Sequence, residues 1–320
     1  MSATTLVPAS AHLPAGLAAT AEAATALLKA RHAPATRRVY ARDCQLFAVW
    51  CAASGLSPLP ADPQAVALFC AAEVARGVHP RTCGRRLAAI RFMHREAGHP
   101  NPCDAEIVRS ILAGARRTVG GAPRQAAPAT ANALQAMLSS CDDSLSGLRD
   151  RALLVIGFGA ALRRSELVGL DVGAVDVVDA GLRVHLGKTK TDQEGAGAVV
   201  PILDGPRLRA KETLAAWLAA SGIEAGPLFR PIAKGGRLQD ARLADRSVAV
   251  IVKKRAEAAG LDPTRFSGHS LRAGFLTSAA EAGADMWKMA DISRHRRLET
   301  LRGYVRSAEQ FKQHAGSAFM

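Results

Sequence analysis

The sequence contains only two tyrosines, and one of them, Tyr304, closes the basic stretch HRRLETLRGY that begins at His295. A phenol can serve as a covalent nucleophile when its neighbours take its proton or stabilise its anion. Residue types suited to such neighbours lie upstream. Arg163 stands just before a helical turn containing Glu166 in ALRRSELVGL. Lys188 and Lys190 lie in the polar segment HLGKTKTDQEGAG, which leaves a strand. His269 and Arg272 occupy i and i+3 in FSGHSLRAGF, on one face of a helix start. Arginine offers a planar, permanently cationic fork to an anion, and histidine and lysine can carry protons. Taken singly these signals are weak: an H-x-x-R pair is close to a chance event in a chain with nine histidines. A lone tyrosine on a C-terminal helix is usually packing, and a lysine in a hairpin is usually solvated. The information lies in the order: arginine, hairpin lysine, H-x-x-R, histidine, then tyrosine close behind.

The elements that must hold these groups can be read in outline. A chain of 320 residues suits two domains better than one core. Alanine and leucine carry most of its apolar content, which favours helix. Residues 1–30 read as a loose leader, with AEAATALLKA entering a first helix. Residues 31–119 read as all-α. TRRVYARDCQLFAVWCAASG sets Val39, Leu46, Phe47 and Trp50 on one helical face. ADPQAVALFCAAEVARG is a second helix, started by Asp62-Pro63 and stopped at Gly77. RTCGRRLAAIRFMHREAG is a third, with Leu87, Ile90, Phe92 and Met93 inward and Arg85, Arg86, Arg91 and Arg95 outward; DAEIVRSILAGARRT is a fourth. The segment GGAPRQAAPAT at 120–130 reads as a linker. From 131 to 320 helices come first. Three β-branched runs follow at 175–178, 182–186 and 199–202, the first two joined at Asp179-Ala180-Gly181 as a hairpin. Helices then return, with Trp217, Val248, Val250 and Ile251 as core candidates. The expected fold class is mainly α with a small β-sheet: an all-α N-terminal domain followed by an α+β domain.

Charge speaks about partners. The formal net charge is +14, and residues 31–119 hold 13 arginines and no lysine against 6 acidic residues. A polyanion, and nucleic acid in particular, is the natural partner. Arg81, Arg85, Arg86 and Arg91 on the third helix are the candidate phosphate contacts, with Lys188 in the hairpin. The six cysteines form no C-x-x-C pair, and they read as buried hydrophobes in a reducing compartment. The N-terminus makes a poor signal peptide, and the longest apolar run, ALLVIGFGAAL, is too short for a bilayer. The expectation is a cytoplasmic, nucleoid-associated bacterial protein with no membrane contact. No acidic cluster lies near the motifs, so neither metal nor other cofactor is expected.

The ordered set resembles the tyrosine recombinases, the phage integrase family. The hairpin GKTKT, the GHS-x-R-x-G block, the Trp50-Cys51 pair ending the first helix and ARG-x-x-x-x-T at 75–82 look like Cre-like site-specific recombinases. The resemblance covers nearly the whole chain. It implies a core-binding domain at 31–119, a catalytic domain at 131–320, a C-shaped clamp on duplex DNA and four protomers on an inverted-repeat site. Strand exchange would pass through a Holliday junction. It also implies roles. Arg163, His269 and Arg272 match the catalytic Arg and H-x-x-R, His295 the second histidine and Tyr304 the nucleophile. Lys190 fits the hairpin lysine better than Lys188, because the TKT pattern aligns there. Where most members have glycine before the second histidine this chain has Arg294, a departure that bears on the backbone entering His295. The implied chemistry is attack of Tyr304 on phosphorus, leaving a 3′-phosphotyrosyl link and a free 5′-hydroxyl whose return attack reseals the strand without ATP. The two arginines would stabilise the phosphorane, Lys190 would protonate the leaving oxygen, His269 would shuttle the tyrosine proton and His295 would hold a phosphate oxygen. A type IB topoisomerase, a DNA-binding protein without catalysis and a metal nuclease are the rival readings. The separate N-terminal domain, the six filled positions and the missing carboxylate cluster count against them in turn.

Overall fold

Proline sets the start of three of the N-terminal helices, because its missing N–H is not needed at a helix's first position. The computed structural model describes residues 17–31, 33–120, 126–187, 197–295 and 297–309. It divides into two compact units, residues 1–123 and 124–320. The first unit contains α1 (Ala18–Ala30), α2 (Pro34–Ala53), α3 (Pro63–Ala75), α4 (Pro80–Glu96) and α5 (Glu106–Thr118). The Asp62 carboxylate caps α3 by accepting the Gln64 N–H at 2.7 Å. The His79 ring does the same for α4, accepting the Arg81 N–H at 3.1 Å.

The core of this unit gathers Phe47, Val66, Phe69, Leu87, Ile90 and Val108. Phe47 meets Phe69 edge-on at 5.1 Å between centroids, a favoured aromatic geometry. Two residues expected inside α2 are not there: Val39 and Leu46 are exposed. The buried arc of that helix runs through Asp43, Cys44, Phe47 and Cys51, and Val39 and Leu46 lie on its flanks. Asp43 is almost fully buried because Arg85 reaches it at 2.9 Å. All six cysteines are buried free thiols.

The second unit contains α6 (Ala131–Ser139), α7 (Leu145–Gly159), α8 (Arg164–Gly169), β1 (Val175–Val178), β2 (Gly181–Leu186), β3 (Ala198–Leu203), α9 (Ala210–Ser221), α10 (Asp245–Ala258), α11 (Ser270–Glu281), α12 (Met286–Ser293) and α13 (Glu299–Glu309). The mainly helical class with one small sheet is as the sequence indicated. Helix α7 is its axis: Ala152 to Ile156 are all buried, as expected of a helix apolar on every side. The sheet is antiparallel in the order β1-β2-β3. Register pairs Val177 with Leu182, and Leu182 with Ile202. Alternation sends Leu182, Val184, Val200 and Ile202 into the core. The hairpin turn closes at Gly181, whose φ of 147° and close approach to the Ile202 carbonyl leave no room for a Cβ. Trp217 is buried with its indole N–H on the Leu228 carbonyl at 2.9 Å. Val248 and Ile251 line the core, whereas Val250 is exposed, because the buried face of α10 runs 248, 251, 252, 255. No helix among the described residues is long and apolar enough to cross a membrane.

Candidate active site

Arg163 is the N-cap of α8, and the short helix exists to hold it. Three residues on, the Glu166 carboxylate turns back, accepting the Arg163 backbone N–H at 2.8 Å and its Nη1 at 2.6 Å. The R-x-x-E spacing permits this, since a Glu at the third helical position can reach back to the N-cap N–H, one half of a capping box; the donor-only arginine side chain cannot return the other half. Burial alone would raise the Glu166 carboxyl, but the Arg163 N–H and the guanidiniums of Arg294 and Arg163 hold it below its ordinary value.

Helix α11 supplies Arg272. Its guanidinium is buried and donates to two backbone carbonyls, Ala161 at 2.6 Å and Ser293. It also lies 3.3 Å from the ring nitrogens of His295. Burial, with Arg163 and Arg294 nearby, lowers its pKa to about 10, so it stays cationic at neutral pH; Glu166 and Tyr304 oppose the shift. The tyrosine is half-buried on α13, packed against a cluster built on Leu276, Met289 and Leu301. His295 follows α12. Burial first, then the three arginines, push its pKa down to about 4, so the ring is neutral at physiological pH.

The structure thus gathers Arg163, Arg272, His295 and Tyr304 in one electropositive site. His269 lies one turn before Arg272, exposed, its backbone N–H on the Ser267 hydroxyl at 3.2 Å. Lys188 and Lys190 lie outside the described residues.

The glycines of GHS-x-R-x-G have packing reasons. A Cβ on Gly274 would stand 1.8 Å from the Ala129 carbonyl oxygen, and one on Gly268 would stand 1.9 Å from Cδ of Arg164. Three contributors carried no role in the sequence reading. Glu166 was visible only as part of a helical turn, although R-x-x-E was the available signal. Ser293 supports His295 at 2.7 Å. Ala161, in the left-handed region at φ 47°, aims its carbonyl at Arg272. The last two depend on contacts between distant segments, which no local pattern announces.

Among the first unit's arginines, Arg81, Arg85 and Arg91 retain exposed side-chain surface, Arg85 pairing with Asp43 and Arg91 with Asp104 at 3.3 Å. Arg86 departs from expectation. Its side chain is only 14% exposed and pairs with Glu73, a buried carboxylate that needs a cation.

Comparison with known proteins bears on the family. Residues 129–310 match the family model described as "Phage integrase family". The chain is 35% identical over 286 residues to an integrase/recombinase xerD homolog of Selenomonas ruminantium, covering 88% of this chain and 84% of that protein. It is 23% identical to the recombinase cre of Escherichia phage P1, over 83% and 82% of the two chains. Its fold resembles that of a lambda integrase dimer bound to a COC' core site, with a TM-score of 0.59 and 15% identity over 93% of this chain and 82% of that one. With a family match over more than half its length and a relative this similar end to end, the chain belongs to the phage integrase family of tyrosine recombinases, enzymes that break and rejoin DNA in site-specific recombination.

Proposed function

We propose that this recombinase cleaves duplex DNA with Tyr304 as nucleophile, using Arg163, Arg272, His295, His269 and Lys190, and that it acts as a homotetramer on an inverted-repeat site. The carrying observation is that Arg272 meets the neutral His295 at 3.3 Å while Glu166 fixes Arg163 in the same site, with Tyr304 packed against the helix that carries Arg272. In the forward step the phenolic oxygen bonds to phosphorus, the P–O5′ bond breaks and a 3′-phosphotyrosyl link forms. The phenol's proton passes to His269, and the leaving 5′-oxygen takes one from Lys190. The equatorial oxygens of the phosphorane meet Arg163 and Arg272, whose forks match that charge. The charge of the first unit, with Arg81, Arg85 and Arg91 exposed, supports a core-binding role for residues 31–119. The arginines supply the cations the reaction needs, and no cofactor is required. A soluble DNA enzyme of this kind works in the cytoplasm at the nucleoid.

The test uses a nicked duplex carrying a site selected by the protein from a random pool. Wild type is expected to give a denaturant-resistant protein–DNA adduct in excess EDTA, and Tyr304→Phe to bind the duplex but give none. An adduct from Tyr304→Phe, or dependence of cleavage on Mg²⁺, refutes the mechanism. The lysine is tested on the same duplex with sulfur at the scissile 5′ position. A thiolate leaves without protonation because thiols are far more acidic than alcohols. Lys190→Ala should regain cleavage there, and Arg163→Ala should not. Rescue of Lys188→Ala in its place moves the acid role to that residue.

A further inference from the structure

Arg294 adopts a backbone that any side chain resists. Its φ of 56° and ψ of 43° lie in the left-handed region, where a Cβ crowds the following carbonyl. Strain of this kind persists where the surroundings hold it, and it concentrates at functional sites. The surroundings here are specific. The Arg294 side chain is 11% exposed, inside the site and not in solvent. Its Nη2 donates to Glu166 Oε2 at 2.7 Å, and its Nη1 to the carbonyls of Ile292 at 2.7 Å and Ala160 at 3.3 Å. The side chain therefore ties the end of α12 to the segment between α7 and α8.

The electrostatic consequence concerns Arg163. Glu166 already holds the Arg163 guanidinium, and a buried carboxylate facing one arginine cancels most of the charge that arginine could offer to a phosphate. A second guanidinium on the same carboxylate restores the balance. Glu166 can then fix the Arg163 fork while the cluster stays positive. At the other end Arg294 is the residue before His295, so its left-handed turn sets the direction in which the imidazole enters the site.

We infer that Arg294 is a positioning residue for recombination, one that holds Arg163 through Glu166, offsets the charge of that carboxylate and orients His295 through the backbone. The inference rests on the reading above, in which Arg163 meets the scissile phosphate.

The experiment compares wild type, Arg294→Gly and Arg294→Lys on the nicked duplex, measuring single-turnover adduct formation, duplex affinity and thermal unfolding. Glycine relieves the left-handed strain, so folding survives the change. Adduct formation in Arg294→Gly should slow by roughly 10- to 100-fold, taking the range known for the outer partners of metal ligands as the scale for a residue that orients another, with affinity unchanged. Arg294→Lys should recover part of the rate, because it keeps a cation beside Glu166 but lacks the fork. The His295 pKa, followed by NMR, should rise in Arg294→Gly because a neighbouring cation is gone; a purely structural role leaves it in place. The double variant with Glu166→Gln should be no slower than the slower single variant, since both changes break one link. A Tyr304-dependent adduct formed at the wild-type rate by Arg294→Gly, or a loss confined to affinity, overturns the inference alone. An adduct that survives Tyr304→Phe overturns the reading of the site and the inference with it.

Discussion

His295 shows how much a single ring can depend on its neighbours. The Ser293 hydroxyl donates to the Met289 carbonyl at 2.6 Å, so toward His295, at 2.7 Å, it can only accept. The neutral ring therefore carries its proton on Nδ1 and keeps a lone pair on Nε2, with Arg272 Nη2 3.3 Å from both nitrogens. In that state His295 accepts hydrogen bonds and cannot donate to a phosphate oxygen. An arriving phosphate opposes the arginines and favours the imidazolium, so holding the phosphate goes with proton uptake. NMR titration of the free protein should find His295 near the value of about 4 given by its burial and the three arginines. Duplex binding should raise that value, and affinity should increase as pH falls through the bound pKa. An ordinary histidine titration in the free protein contradicts this. The folding linkage runs the same way. The folded pKa lies below the unfolded value of about 6.5, so the contribution to stability is present above that pH and lost as pH falls toward 4. His94 has the same sign: buried, accepting from the Ala61 N–H and bonded to the Ile90 carbonyl, its pKa is lowered by burial.

At the level of elements, α11 is the piece on which the site is registered. The Ala129 N–H bonds the Ser270 carbonyl at 2.8 Å, and the Ala129 carbonyl lies where a Cβ of residue 274 would be. The segment entering α6 therefore lies directly on the first turns of α11, and Arg272 is placed by that contact. The atoms met at Gly274 are all backbone of Ala129, which cannot yield as a side-chain end can. Gly274→Ala should cost about 1–3 kcal/mol by overpacking, read as a lower thermal midpoint, and should slow cleavage by shifting Arg272. Gly268→Ala meets the flexible Arg164 side chain and should cost less. Equal stability of wild type and Gly274→Ala contradicts this account of the motif.

For the molecule as a whole, charge sets how it finds its partner. A net charge of +14 with arginine concentrated in residues 31–119 implies binding dominated by phosphate contacts. Each neutralised phosphate releases counterions, giving a slope of log affinity against log salt of about −0.9 per contact on duplex DNA. A steep slope is expected for the full chain, measured by fluorescence anisotropy across a salt series. Arg81→Ala and Arg91→Ala should each reduce it by about one contact. Arg86→Ala should lower stability, because it removes the shielded partner of the buried Glu73 and leaves the exposed Arg76, at 3.0 Å, to hold that carboxylate. A slope near zero for wild type contradicts the phosphate reading.

Much of this protein is legible in the residues alone, for local reasons. Period-two runs at 175–178, 182–186 and 199–202 mark strands wherever one face is buried, and a glycine turn between the first two leaves a hairpin as the simple solution. The order of Arg163, His269, Arg272, His295 and Tyr304 survives any folding, so the family could be read from it. Other facts belong to the tertiary structure. Whether Val39, Leu46 and Val250 are buried depends on which arc of a helix its neighbours cover, and a periodicity several residues wide does not resolve that. Arg86 looks like its exposed neighbours until Glu73, from another helix, is set beside it. Glu166 and Arg294 are 128 residues apart in sequence, and only the fold makes them one ion pair. That pairing turns a departure from the family pattern into part of the site, because a buried charge is tolerated only where the fold brings its partner.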